Sequence, residues 1–132
     1  MANFKKLHSE WKKAKKNAEL VHDTWARMFM TISVGDVQND APDFPKFNKN
    51  LGPSLVNIEK GKNLEKSKVK AVKAVTLYEK DIERLTKAVK KMKIPEKSAK
   101  SKIDPQKTTK ALLLYLSKLE DVRQEIAEAL DE

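Results

Sequence analysis

The sequence predicts an all-α protein, an antiparallel bundle of three long helices that pack in the manner of a coiled coil. Three segments carry apolar residues at alternating steps of three and four, which keeps one narrow stripe of each helix facing its neighbours. Charged residues make up 36% of the 132-residue chain and aromatic residues only 6%, a composition typical of long helices. A chain of this length can bury its own core. We therefore expect one helical domain over residues 1–132 in up–down–up order, or helical hairpins that complete their core by oligomerising.

The first helix is expected over residues 3–34. The members of its apolar stripe are Phe4, Leu7, Trp11, Ala14, Ala18, Val21, Trp25, Met28 and Ile32. Gly35 is a natural end for this helix, because glycine adopts the left-handed conformation that closes helices without a steric cost.

The loop that follows is expected over residues 35–53. It has no helical or alternating period, and three prolines bias their preceding residues away from helix. Because Phe44, Phe47 and Leu51 would be costly to leave in water, we expect them to pack across one end of the bundle. The alternative is that residues 36–53 form a docking arm for a partner, since long loops are often functional.

The second helix is expected over residues 54–93, with Pro95 preventing its extension. The members of its stripe are Ala71, Val75, Tyr78, Ile82, Leu85, Val89 and Met92. Because Gly61 can interrupt a helix, two forms of this segment are compatible with the sequence. One is a continuous helix, and the other is a short extra helix near 54–60 followed by the main one.

The third helix is expected over residues 105–130, after a lysine- and serine-rich linker at 94–104. Asp104 is a favourable cap, and Pro105 suits the first helical turn because its missing N–H has no helical partner there. The members of its stripe are Leu112, Tyr115, Leu119, Val122, Ile126 and Ala129.

The basic excess of the chain is unevenly distributed. The net charge of +9 is the balance of +4 over residues 1–34, −1 over 35–54, +9 over 55–103 and −3 over 104–132. A field of this sign attracts acidic partners, namely nucleic acid, an anionic surface or the acidic face of a protein.

Two turns, at 25–34 and 111–116, are apolar almost all the way round. A helix in a three-membered bundle buries only one side, so these turns need further cover, either within the bundle or from a partner. With the loop phenylalanines they supply the candidate partner contacts, which are Trp25, Phe29, Met30, Phe44, Phe47, Leu113 and Leu114.

Basic residues opposite the apolar stripes supply a second set of candidates, for contacts with phosphate or with an acidic partner. They are Lys66, Lys70, Lys73, Lys80, Arg84, Lys87 and Lys91 on the second helix, and Lys12, Lys13 and Lys16 on the first. Lysine-rich outer faces also serve solubility alone. Because the chain has only three arginines, nucleic-acid binding along this face would be independent of base sequence.

Residue types for catalysis or metal binding are sparse. The chain has no cysteine and only two histidines, His8 and His22, which are too far apart for a shared cluster. Its serines show no grouping with a base, and Gly61-Lys62 lacks the rest of a phosphate-binding loop. We therefore expect no metal, no cofactor, no small-molecule substrate and no enzymatic activity.

The function we expect is that of a non-enzymatic interaction or assembly protein that self-associates or docks on a larger protein. The first alternative is a sequence-independent nucleic-acid-binding protein that uses the lysine-rich face. The second is an inhibitor that blocks another protein. A soluble, intracellular location is expected, because no segment has the roughly 18 apolar residues of a membrane span and no signal-type apolar core follows the N-terminus.

Overall fold

A computed structural model of the chain describes residues 3–32, 41–47, 51–92, 94 and 104–131, with side chains as far as Met28 in the first range. Its elements are four helices, α1 (Phe4–Ile32), α2 (Leu51–Lys60), α3 (Leu64–Lys91) and α4 (Pro105–Leu130). The all-helical fold, with three long helices packed together and a short extra helix, is confirmed. The ends expected at Val34, Gly35, Lys93 and Pro95 lie outside the described residues.

The start of α1 is capped from two directions. The Asn3 side-chain oxygen accepts a hydrogen bond from the Lys6 backbone N–H at 3.0 Å, which is the ordinary role of asparagine at a helix N-cap. The Glu59 carboxylate of α2 accepts another from the Lys5 backbone N–H, also at 3.0 Å. The first turn of α1 is therefore tied to the last turn of α2.

Helix α2 begins at Leu51, two residues before Pro53. The proline is tolerated because it lies in the first turn, where its missing N–H has no helical acceptor, and because Gly52 has no Cβ to meet the proline ring. Helix α2 ends where Gly61 adopts φ 72°, with Gly61 N–H donating to Ile58 O at 3.1 Å and Lys62 N–H to Asn57 O at 2.8 Å. This pair of bonds is the Schellman motif that closes helices.

Helix α4 begins as the sequence predicts. The Asp104 side chain accepts hydrogen bonds from the backbone N–H groups of Gln106 at 3.1 Å and Lys107 at 3.3 Å, and Pro105 is the first helical residue. Two of the unpaired N–H groups at this helix end are thereby satisfied by one carboxylate.

The directions of the helices follow from the two clusters that make up the core. One end of the bundle joins the last turns of α1 and α3 to the first turns of α4, through Trp25, Met28, Leu85, Val89, Leu112 and Leu116. Helices α1 and α3 therefore run the same way, and α4 runs antiparallel to both. In the up–down–up order expected for the three long helices, the second long helix would run antiparallel to the first, whereas α3 runs parallel to α1. The reason is the break at Gly61, which makes α2 a separate helix. Residues 41–47 and α2 return the chain to the start of α1, so α3 begins at the same end as α1.

The apolar stripes face the core. The buried members are Trp11, Ala18, Trp25, Met28, Ala71, Val75, Tyr78, Ile82, Leu85, Val89, Leu112, Leu119, Ile126 and Ala129. Helix α4 packs closely on both α1 and α3, whereas the backbones of α1 and α3 stay further apart. Large side chains fill that space, among them Trp11, Tyr78 and Phe47.

Candidate interaction surfaces

The first candidate contact, Trp25, lies in the core. Its side chain is fully buried, and its Nε1–H donates to the Thr109 hydroxyl of α4 at 2.9 Å. Thr109 in turn donates to the Pro105 carbonyl at 2.7 Å. Trp25 thus presents no surface to a partner in this fold, because α4 covers this face of the apolar turn.

The loop phenylalanines are also core residues rather than free contacts. Phe47 is buried beside Trp11 and Tyr78, with ring centroids 5.3 and 5.0 Å away and edge-on geometry to both. Phe44 is half-buried and packs against both parts of the core. They lie along the side of the bundle between α1 and α3, rather than across one end as expected.

A buried histidine holds the 41–47 segment in this position. His22 of α1 lies 2.7 Å from the Pro42 carbonyl through its Nε2, and since a carbonyl can only accept, Nε2 carries the proton and donates. The His22 ring also packs against Phe44 at 5.5 Å. The docking-arm alternative therefore finds no support over residues 41–47, and the rest of that arm, at 36–40 and 48–50, lies outside the described residues.

The remaining apolar candidates differ in their placement. The side chains of Phe29 and Met30 lie outside the described set. Leu113 is half-buried and lines a groove between α3 and α4. Leu114 is 55% exposed, so it alone among the described members of this set has a large free surface.

The basic candidates on α3 are all exposed, and most form one flank. The members of this basic flank are Lys66, Lys70, Lys73, Lys80, Arg84 and Lys91. On an ideal helix at about 100° per residue, these six residues fall within roughly 80° of arc, on the side of α3 that faces away from α4. Near its start, Lys66 and Lys70 line a crevice with Pro53 and Asn57 of α2.

Three of the acidic residues of α3, Glu65, Glu79 and Glu83, lie on the flank away from the basic one, whereas Asp81 borders the basic flank. Glu79 pairs with Arg123 of α4 at 3.2 Å, and the buried Arg123 also donates its Nε–H to Glu120 at 2.7 Å. Glu83 pairs with Lys87 at 2.9 Å, and hydrogen bonding to Lys87, followed by its charge, lowers the pKa of the Glu83 carboxyl. The packing of α3 on α4 thus draws carboxylates to one side and leaves the basic flank to solvent.

Four exposed apolar residues on α3 were not among the sequence candidates. Leu64, the first residue of the helix, is 52% exposed, Val69 66%, Val72 45% and Leu77 46%. Val69 and Val72 are one turn apart on the face opposite the core, and Leu77 lies within the basic flank. Their signal in the sequence is that they depart from the apolar stripe of this helix, which marks them as outward-facing.

The basic candidates on α1, Lys12, Lys13 and Lys16, are exposed as well. Lys12 lines a cleft with α2, whereas Lys13 and Lys16 do not. The three residues therefore do not form one surface with the basic flank of α3.

The structure separates the groups from which a metal site could be built. Across the residues that are described, no three histidine, aspartate or glutamate side chains converge in a way that could hold a metal ion. Asp23 pairs with Arg27 at 3.2 Å, and His22 bonds to the Pro42 carbonyl instead.

Comparison of the chain with known protein families, with characterised proteins and with solved structures finds no match. None of the described helices is long and apolar enough to cross a membrane.

Proposed function

We propose that the protein is a non-enzymatic interaction module that associates with an acidic protein surface through the outer face of α3. The observation that carries this proposal is the exposure of Val69 and Val72, which share a shallow surface depression with Glu65, Lys68 and Lys73. Single apolar residues on a surface need no explanation, but two that are adjacent on one helix face form a patch that gains free energy when covered.

The acidic surface that fits best is the second half of α4 on another copy of the chain. Its exposed carboxylates are Asp121, Glu125, Glu128 and Asp131. Residues 55–103 carry a net charge of +9 and residues 104–132 a net charge of −3, so the two surfaces are of opposite sign. Opposite charge steers the encounter and sets the orientation of two partners, while buried apolar groups supply most of the affinity.

Sedimentation velocity on the purified chain at low and at physiological salt tests this proposal. We expect a dimer or larger species at low salt, with weaker association as salt screens the charges. The double substitution Val69→Ser/Val72→Ser should weaken association. Its matched control is Leu20→Ser/Val56→Ser, which removes two exposed apolar side chains from α1 and α2 and should leave association unchanged.

A monomer at every concentration and salt would overturn self-association. An equal loss in the two double variants would mean that general surface hydrophobicity, and not the outer face of α3, drives the contact. Circular dichroism of each variant checks that the helices are intact.

A second candidate function, sequence-independent binding of nucleic acid, is favoured by the shape of the basic flank. The flank runs from Lys66 to Lys91, which is roughly 37 Å at the rise of an α-helix. A row of ammonium groups of this length can follow a phosphate backbone. Few arginines are available for the paired hydrogen bonds by which a guanidinium group recognises a base, because Arg123 is buried in its ion pairs and Arg27 is paired on α1.

Fluorescence anisotropy with labelled duplex and single-stranded DNA at two salt concentrations tests the second candidate. Binding that falls steeply with salt, and that is weakened by Lys70→Gln/Lys73→Gln/Lys80→Gln, would support it. The control Lys68→Gln/Lys90→Gln/Lys110→Gln removes the same charge from other faces and should bind nearly as wild type. No binding at low salt would exclude the basic flank as a nucleic-acid surface.

A further inference from the structure

A small polar crevice lies where the middle of α2 meets the start of α3. Its volume is about 130 Å³. Sites for drug-sized ligands usually measure roughly 300–1,000 Å³, so this crevice has room only for an ion or a very small molecule. Apart from Pro53, its lining residues are polar, and they are Ser54, Asn57, Asn63, Lys66, Ser67 and Lys70.

The lining is rich in hydrogen-bond donors. Lys66 and Lys70 each bring an ammonium group, which can only donate. Asn57 and Asn63 each bring an amide with two N–H bonds to donate. The described residues that line the crevice include no carboxylate, so its chemistry favours an anion.

The two carboxylates nearest in sequence are directed elsewhere. Glu59 of α2 accepts a hydrogen bond from the Lys5 backbone N–H of α1. Glu65, although it belongs to the first turn of α3, lines the depression with Val69 on another side of that helix. Neither carboxylate therefore lines the crevice as a partner for its lysines.

The buried hydroxyl of Ser54 points to a ligand in the crevice. Ser54 is 4% exposed and lines the crevice, and its hydroxyl has no hydrogen-bond partner among the described residues. Ser67, which is equally buried, differs because it donates to the Lys62 carbonyl at 3.4 Å. A buried hydroxyl without a partner is costly, and an acceptor in the crevice would satisfy it.

The start of α3 adds a field of the same sign. Asn63 is the residue before the helix, and its side chain makes no capping hydrogen bond to α3. The aligned peptide dipoles of a helix place a partial positive charge at its N-terminus, where anions bind for this reason. The uncapped end of α3 and the Ser54 hydroxyl of α2 thus lie at the same crevice.

We infer that the crevice between α2 and α3 binds a single phosphate group, with Ser54, Lys66 and Lys70 donating to its oxygens. A tetrahedral oxyanion presents acceptors in several directions, which suits donors that come from two helices. The site lies on a different side of α3 from Val69 and Val72 and goes beyond the interaction function proposed above. Because it holds one phosphate, it does not depend on nucleic-acid binding along the basic flank.

Titration of the full chain with inorganic phosphate at neutral pH, followed in ¹H–¹⁵N spectra, tests the inference. Sodium chloride of equal ionic strength is the reference. The backbone signals of Asn63 and Lys66 and the side-chain amide signal of Asn57 should move and saturate with phosphate. The indole signal of Trp25, which is buried at the other end of the bundle, should stay in place.

A second titration with phenyl phosphate distinguishes two sources of the phosphate group. Binding of both ligands would assign the crevice to the phosphate of an ester. Binding of inorganic phosphate alone would assign it to the free anion.

Substitutions in the crevice should weaken phosphate binding. We expect a loss of about five- to tenfold for Lys66→Gln/Lys70→Gln, and of about two- to tenfold for Ser54→Ala, which removes one donor. The matched control Lys80→Gln/Lys91→Gln removes the same charge from the same flank, roughly 15 Å or more along α3. Because that distance exceeds the screening length of roughly 8 Å at physiological salt, affinity should change less than about twofold.

The inference is overturned if phosphate moves no signal beyond those that chloride moves, or if the control variant loses as much affinity as Lys66→Gln/Lys70→Gln. Binding by Ser54→Ala as tight as in the wild type would overturn it as well. Circular dichroism checks that each variant is folded, and the exposed lysine pair provides the test even if Ser54→Ala does not fold.

Discussion

The indole of Trp11 and the phenol of Tyr78 stack face to face across the bundle, with their centroids 5.0 Å apart. The stack joins α1 to α3, two parallel helices whose backbones remain too far apart for small side chains to meet. Phe47 completes the group from the 41–47 segment, so one aromatic cluster connects three parts of the chain that are distant in sequence.

The register of α3 can be tested with one buried and one exposed position. Leu85 is 3% exposed and packs within the core, so Leu85→Ala should lower the free energy of unfolding by about 2–5 kcal/mol through lost burial and a cavity. Lys80→Ala, on the exposed side of the same helix, should change it by less than about 0.5 kcal/mol. Urea denaturation followed by circular dichroism measures both, and equal losses would contradict the register.

The hydrogen bond between Trp25 and Thr109 should contribute to stability because both groups are buried. Thr109→Val keeps the shape of the side chain but removes the acceptor of the indole N–H, which should cost about 1–3 kcal/mol in chemical denaturation. Thr76→Val is the control, since the Thr76 hydroxyl is exposed and bonds only to Val72 O of its own helix in the described contacts. A loss in the control as large as that at Thr109 would show that the buried bond is not responsible.

The phenol of Tyr78 should make stability fall at high pH. Burial, followed by the charge of Asp81, raises the pKa of Tyr78 from 10.0 to about 12, although a hydrogen bond from the Leu51 backbone opposes the shift. The folded protein therefore holds this proton more tightly than the unfolded chain, and the resulting stabilisation is complete below pH 10.0 and is lost as the pH rises to about 12.

Ultraviolet titration of phenolate absorbance measures the Tyr78 ionisation directly. We expect a component near pH 12 in the wild type that is absent in Tyr78→Phe. Comparing the pH dependence of unfolding in these two proteins cancels the shared titration of lysines. A wild-type protein without a late component would contradict the burial of the hydroxyl.

The contact between Gly52 and His8 should appear as an energetic coupling. Gly52→Ala improves helix propensity, but its new Cβ meets the His8 ring, so in the wild type we expect little gain or a loss. In a His8→Ala background only the Pro53 ring still opposes the new Cβ, so the same substitution should cost less than it does in the wild type. A double-mutant cycle by thermal or urea unfolding measures the difference, and additive effects would mean that the ring moves aside freely.

Much of the fold could be predicted from local pattern. The alternating steps of three and four identify the buried face of each long helix, and Asp104–Pro105 identifies the start of α4, because these signals depend on residues within a few turns of one another. Gly61 indicates a possible break in the helix for the same reason. The direction of α2 and the path of residues 41–47 could not be predicted, since they depend on contacts between distant segments.

The candidate site was predicted less completely than the fold. The lysines of α3 follow from helical spacing and are exposed as expected, although their interaction with any partner remains a proposal. Apolar surroundings in the sequence predict Trp25 and Phe47 as contacts, but such surroundings do not distinguish a core side chain from a contact side chain. Val69, Val72 and Leu77 lie off the apolar stripes, and the periodic pattern identifies only the residues that face inward.

Local sequence patterns are sufficient to predict that this chain forms long amphipathic helices, which of their residues face inward, and where the positive charge is concentrated. They do not show that α1 and α3 run parallel, that Phe47 packs edge-on against the stack of Trp11 and Tyr78, or that His8, Lys12 and Lys15 line a cleft with the start of α2. The two sets of features differ in the sequence separation of the residues that produce them. Helical periodicity and capping act over a few residues, whereas the aromatic cluster and the cleft arise when side chains far apart in sequence fill the same space.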